Sequence, residues 1–234
     1  MRRTDGRPRH AQIAADLRAK ILSGDLTEKL PPFKRLVAMY DTAWNTAQRA
    51  VALLKAEGFV VGHQGKALLI RAKRIEIIDA APYLEPAATR VTYKMLHVGR
   101  ERPPTDAARK LGLTDDETAV LRKRLTLRDG DPLELSWSYY PTAIAAGTPL
   151  ESPARIRGGA PAILASLGFH QHEFVDEIHV RQPTTAELET LELPPGVPVM
   201  RTLRTITDRE GTVVEVTVIV KGGHLYGMRY WRTL

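Results

Sequence analysis

The chain has 234 residues and is 43% hydrophobic and 26% charged, globular proportions that exclude disordered, collagen-like and coiled-coil chains and leave room for two domains. It has no cysteine, which excludes disulfides, thiolate metal sites, iron–sulfur clusters and cysteine nucleophiles. No apolar run approaches the roughly 18 residues that cross a bilayer, and the basic N-terminus lacks the apolar segment of a signal peptide, so a cytoplasmic protein with no membrane partner is expected.

The net charge of +7 is unevenly spread: residues 1–74 hold 15 Lys and Arg against 6 Asp and Glu, a net +9, and the remainder is slightly acidic. A small basic unit joined to a near-neutral larger one is the layout of a nucleic-acid reader attached to something that does not touch nucleic acid. An ordinary basic surface is the plainer alternative.

From His10 to Gly24, Ile13, Leu17 and Ile21 recur every four residues, predicting an amphipathic helix closed by glycine. Phe33, Leu36, Val37 and Tyr40 repeat the spacing in a second, shorter helix, with Pro32 suited to its first turn. Asp41-Thr42 then connects to a third helix from Ala43 to Glu57, with Ala47, Ala50, Val51 and Leu54 inward and Gly58 as its stop. Trp44, Asn45, Gln48 and Arg49 face outward near its start. Two short helices joined by a tight turn, the second polar at its N-terminal end, form a helix-turn-helix whose leading turn can reach base edges in the major groove. Phe59 to Arg71, broken by Gly62-His63-Gln64-Gly65, reads as a hairpin wing carrying Lys66 and Arg71.

The string Gln12-Ile13-Ala14, Leu17-Arg18, Ser23-Gly24, Leu30-Pro31, Tyr40, Thr46, Arg49-Ala50, Leu53-Leu54, Glu57-Gly58 and Gln64-Gly65 resembles the winged helix of GntR-type transcription regulators. The chain departs from that pattern at Ala43-Trp44, where a Ser-Arg pair is usual, at Pro32-Phe33-Lys34-Arg35, and at Ala67 in the wing. By position, the resemblance implies that Lys34, Arg35, Thr46 and Arg49 contact phosphates or bases, that Asn45 and Gln48 read bases, and that Gln64, Gly65 and Lys66 belong to the wing. Trp44 either packs on the second helix or touches a sugar or base.

Residues 75–89, with Asp79-Ala80-Ala81-Pro82 and Glu85-Pro86-Ala87-Ala88, carry no apolar period and read as a linker between domains at 1–74 and 90–234. Beyond it, Thr89–Val98 is strand-like and Thr105–Leu111 a short helix capped by Thr105. Val120–Arg128 and Pro132–Tyr140 alternate across Asp129-Gly130-Asp131, a hairpin signal. Pro161–Leu167 can be helical, Phe169–Arg181 is strand-like, and Thr184 to Glu187 has capping-box spacing for a helix reaching Leu193. Val199–Asp208 and Thr212–Val220 pair across Arg209-Glu210-Gly211. The expected fold class is α+β: a winged helix-turn-helix followed by an α+β domain on a mainly antiparallel sheet.

In their order, Val120 to Leu125, Asp129-Gly130-Asp131-Pro132-Leu133, Ser138-Tyr139-Tyr140-Pro141, Pro183 to Glu187 and Gly211 to Val216 resemble the UTRA domain of the HutC subgroup of GntR regulators. The resemblance implies a chorismate-lyase-like fold that binds a small-molecule effector and forms a homodimer, so that two heads read an inverted repeat in double-stranded DNA. It also implies a pocket in which two arginines, spaced Arg-x-Arg on one strand face, clamp an anion. Here Arg124 keeps the first position and Thr126 takes the second, with Arg122 as a substitute from the same face. Ser138, Tyr140, Glu215 and Tyr226 stand where such pockets place their groups, and Glu177 is a further candidate.

His170 and His172 would share a strand face and could ligate a metal, but spacing fixes no carboxylate beside them. No metal or cofactor is therefore expected. No Ser-His-Asp order, phosphate-cradling glycine loop or nucleotide fingerprint occurs. The reading is a ligand-controlled transcription regulator, a repressor rather than an enzyme. The alternative is an enzyme for a small acid, tethered to nucleic acid by its N-terminus.

Overall fold

In the computed structural model the described residues are 5–62, 67–70, 76–79, 91–224 and 226–229. Two compact units emerge: Met1–Pro82 with Pro194–Val197 and His224–Leu234, and Tyr83–Leu193 with Pro198–Gly223.

In the first unit, α1 (Arg9–Ser23), α2 (Phe33–Tyr40) and α3 (Trp44–Ala56) precede the antiparallel pair β1 (Val60–Val61) and β2 (Leu69–Ile70). The stripes predicted for the helices meet in one core: Ile13 and Leu17 from α1, Leu36 from α2, Ala47, Val51 and Leu54 from α3, with Phe59, Val60 and Ile70 from the hairpin side. Helix α1 stops where Gly24 adopts φ 85, a left-handed conformation that costs glycine nothing. Pro32 sits just outside α2 as its N-cap, not inside the first turn. The wing rests on a third extended segment, since Leu30 N–H donates to Leu68 O at 2.8 Å and Ile70 N–H to Glu28 O at 2.9 Å. Arg18 holds α1 to the end of α3 through a two-pronged bond with Glu57, at 2.7 and 2.5 Å.

Glu76–Asp79, within the stretch expected to be a linker, forms a strand, β3. It pairs in parallel with β10 (Tyr226–Arg229), which the sequence reading did not foresee. A strand that pairs with the far end of the chain has no local signature.

His224, just before β10, has its Nδ1 atom buried without a hydrogen-bond partner among the described residues. Burial, reinforced by the positive charge of Arg18, lowers its pKa from 6.5 to about 4. Because the folded-state value lies below the unfolded one, His224 contributes stability that is complete above about pH 6.5 and is lost as pH falls toward 4. Thermal melts stepped from pH 7.5 to pH 5 should show a fall that His224→Gln flattens; an unchanged slope in that variant would count against the assignment.

In the second unit a six-stranded antiparallel sheet has the order β4 (Val91–Glu101), β5 (Ala119–Arg128), β6 (Asp131–Pro141), β9 (Val213–Gly222), β8 (Val199–Thr207), β7 (Glu173–Arg181). Asp129 and Gly130, both at positive φ (51 and 90), make the two-residue turn between β5 and β6 as the Asp-Gly pair predicted. One sheet face packs Leu121, Tyr139, Leu203, Val216 and Val218 against α4 (Thr105–Leu111) and α7 (Thr185–Thr190). The capping box is present at α7, where Thr184 accepts from Glu187 N–H and Glu187 accepts from Thr184 N–H. At α4 the N-cap is Pro104 and no side chain caps the helix, so Thr105 is its first residue and not its cap.

The upper part of the other face packs Val120, Tyr140, Ile206 and Val214 against α5 (Thr142–Ala145), a 3-10 turn at Pro149–Glu151, and α6 (Gly159–Ser166). Helix α5 and the 3-10 turn are too short to show a period and were not foreseen. Strand β7 begins at Glu173, four residues later than expected.

Candidate nucleic-acid interface and ligand site

Helix α3 buries Ala47, Ala50, Val51 and Leu54, which forces the intervening positions outward. Asn45, Gln48 and Arg49 are exposed near its start, Thr46 is half-buried, and Lys34 and Arg35 are exposed on α2. All of these expected contact residues but Thr46 are therefore open to solvent, and Lys34, Trp44 and Gln48 line one groove. Trp44, the first residue of α3, packs on the second helix, its ring 5.3 Å from that of Phe33, and half of the residue stays exposed. Beside it runs a groove of about 840 Å³, floored by Leu30, Phe33, Val51 and Ala52 and rimmed by Lys29, Lys34 and Lys55. Lys29 and Lys55 were missed because they lie outside the helix-turn-helix positions that sequence spacing singles out. Gln64, Gly65 and Lys66 lie outside the described residues.

The second site follows from register. Arg122 on β5, Ser138 on β6, Thr217 on β9, Arg204 on β8 and Asp176 on β7 are successive cross-strand partners. They therefore project from one face of the sheet, below the apolar cluster around Tyr140. Arg124 and Glu215, each two residues from a member of that row, share its face.

The hydrogen bonds run in one direction. Arg124 donates to Ser138 Oγ at 3.0 Å, Ser138 and Thr217 hydroxyls lie 2.9 Å apart, and Thr217 donates to Glu215 Oε1 at 2.7 Å. Thr217 has one proton and spends it on the carboxylate, so Ser138 must be the donor between the hydroxyls. The chain thus leads from a guanidinium through two buried hydroxyls to a fully buried carboxylate, whose other oxygen accepts from Gln171 at 3.2 Å. It is a preorganised polar network that crosses three strands, β5, β6 and β9.

Several expected residues are placed otherwise. Arg122 is not available as a substitute clamp: it donates to the carbonyls of Leu150 at 2.9 Å and Ser152 at 2.5 Å, with longer contacts to Pro149 and Ala154. Its guanidinium thereby holds the loop after α5. Glu177 projects from the opposite face, paired with Lys110 of α4, because it is one residue out of phase with Asp176. Tyr226 belongs to β10 in the first unit, and Tyr140 is buried in the apolar cluster. Thr126 does share the Arg124 face, opposite Glu134, which pairs with Lys221 at 2.9 Å. The sequence reading missed Thr217, Arg204, Asp176 and Gln171; period-two alternation in β8 and β9 hints at the first two, but only register brings them together. His170 and His172 precede β7 and do not lie on a strand. Among the described residues no cluster of three metal-ligating side chains occurs, and no helix is long and apolar enough to cross a membrane.

Residues 9–70 match the family described as bacterial regulatory proteins, gntR family, and residues 87–226 match the UTRA domain. The chain belongs to the GntR family. This GntR regulator carries its helix-turn-helix first and its UTRA domain second, an arrangement consistent with the HutC subgroup. It is 28% identical to the uncharacterized HTH-type transcriptional regulator SCO4628 of Streptomyces coelicolor, over 95% of this chain and 92% of the relative. It is 30% identical to the uncharacterized HTH-type transcriptional regulator RB1450 of Rhizobium meliloti, over 87% and 86%. The crystal structure of PhnF from Mycobacterium smegmatis has the same fold, with a TM-score of 0.58 at 16% identity over 94% of this chain and 99% of that one. The protein is thus a transcription regulator with an α+β architecture, a DNA-binding head and an effector-type second domain.

Proposed function

We propose that this GntR regulator is a cytoplasmic, homodimeric repressor that reads an inverted repeat through two copies of α3 and changes its grip on DNA when a small molecule binds the polar face of its UTRA sheet. The observation that carries the ligand reading is the one-way chain from Arg124 through Ser138 and Thr217 to Glu215. A site with one arginine and a threonine at the second clamp position favours an effector with a single strong anionic group, because a second buried charge without partners is costly. A small carboxylate fits that description better than a dianionic sugar phosphate. Binding regulates DNA affinity only to the extent that the ligand distinguishes two arrangements of the dimer.

The test begins by selecting a preferred duplex from a random library with the full-length protein, then running a thermal-shift panel of monocarboxylates and sugar phosphates. A monocarboxylate at 100 times its dissociation constant should add about 2.7 kcal/mol to stability and alter affinity for the selected duplex. Arg124→Ala should abolish both responses and leave basal duplex binding intact. Stabilisation by a sugar phosphate that Arg124→Ala removes would reverse the reading of ligand charge. Turnover of the stabilising compound would make the second domain an enzyme.

A further inference from the structure

Trp44 occupies an unusual place for a large apolar side chain. It is the first residue of the recognition helix, between the polar and basic groups of Lys34, Asn45 and Gln48, and its indole is half exposed. An exposed ring at that position has no folding benefit on its outer face, and it borders the apolar floor of the groove formed by Leu30, Phe33 and Val51. The inner face does have a partner. Phe33 meets it at 5.3 Å with an interplanar angle of 39°, a tilted aromatic pair that fixes where the outer face points. The ring is thus a rigid apolar projection, with little side-chain freedom left to lose on binding.

A helix whose leading turn enters the major groove meets a surface of donors and acceptors with one apolar feature, the C5-methyl group of thymine. Gln48 and Asn45 can pair bidentately with polar base edges; Trp44, with one N–H donor and no acceptor, cannot, and the rest of its indole is apolar. Lys29, Lys34 and Lys55 around the same groove supply positive charge for the phosphates of the strand that passes there. We propose that Trp44, held upright by Phe33, is a specificity-determining residue that reads a thymine methyl in each operator half-site. This rests on the DNA-binding reading above and adds to it the identity of one contacted base.

The experiment uses the full-length protein and the duplex selected with it from a random library. Each thymine is replaced in turn by deoxyuridine, which removes the methyl and keeps every hydrogen-bonding group. Loss of one buried methyl weakens binding about fourfold. One thymine per half-site should show that loss with the native protein and none with Trp44→Ala. Trp44→Phe, which keeps an aromatic ring, should retain the sensitivity, and circular dichroism of each variant checks the fold. If Trp44→Ala binds more weakly but the uridine penalty persists undiminished, or if no thymine is sensitive, the ring does not read a methyl and the inference falls. Failure of the native protein to select any duplex would instead remove the DNA-binding reading itself.

Discussion

Asp176→Ala should lower the stability of the UTRA unit by about 3–5 kcal/mol, the usual result of removing one partner from a buried ion pair. Arg204 and Asp176 face each other across β8 and β7 through two bonds of 2.7 Å, with their side chains 10% and 5% exposed. The Arg204 guanidinium also lies 4.3 Å from the centre of the Phe174 ring, so apolar surface replaces water on that side. Taking away the carboxylate removes both of these bonds from a guanidinium that stays largely out of water beside that ring. The size of the loss reflects the cost of keeping that charge out of water more than the worth of the intact pair. Accordingly, the double variant Asp176→Leu with Arg204→Met, which removes both charges and keeps the volume, should recover most of the stability. Urea denaturation followed by circular dichroism reads both effects. A loss below about 1 kcal/mol in the single variant would mean that water reaches Arg204 in solution.

The second large effect concerns Arg122. Its substitution by alanine should cost about 3 kcal/mol, since two short bonds from a charged donor, to the carbonyls of Leu150 and Ser152, contribute roughly 1.5 kcal/mol each. Burial disfavours the charged guanidinium and nearby Arg124 adds repulsion. The carbonyls of the loop therefore hold a cation that the site would otherwise expel. Arg122→Lys should not rescue, because a single ammonium cannot span carbonyls from Leu150 to Ala154. Hydrogen exchange localises the effect: amides of residues 147–154 should lose protection in Arg122→Ala while those of α7 keep theirs. Equal loss throughout the sheet unit would deny Arg122 its particular hold on the loop.

Arg122 and Glu177 show where sequence reading reaches its limit. Period-two alternation places Arg122 on the Arg124 face, and the structure agrees. Alternation says nothing about which backbone carbonyls will fold over that face, so the apparent second cation of a clamp turns out to be a loop anchor. Glu177 illustrates phase: a one-residue offset within β7 sends its neighbour Asp176 to the polar face and Glu177 to α4. The head was far more legible. Its helices are amphipathic with a four-residue recurrence, and Ile13, Leu17, Leu36, Ala47 and Leu54 all lie in the core that recurrence predicts. Hairpins also announced themselves, because Asp129-Gly130 encodes its turn locally. What stayed hidden depends on long-range pairing: the row from Arg122 to Asp176 draws on five strands, and nothing within any single strand specifies its neighbours.

The parallel pairing of β3 with β10 has a consequence for the order in which the chain can mature on the ribosome. The three helices and the hairpin of the head come from the first seventy residues or so and can close their core early in synthesis. Glu76–Asp79 cannot finish there, because Tyr226–Arg229 is made about 150 residues later, a delay of roughly 8–30 s at ordinary elongation rates. During that interval Glu76–Asp79 lacks the strand with which it pairs in the finished fold. The pair closes only after β9, which carries Glu215 and Thr217, has emerged. The DNA-reading unit thus begins first and receives its closing strand last.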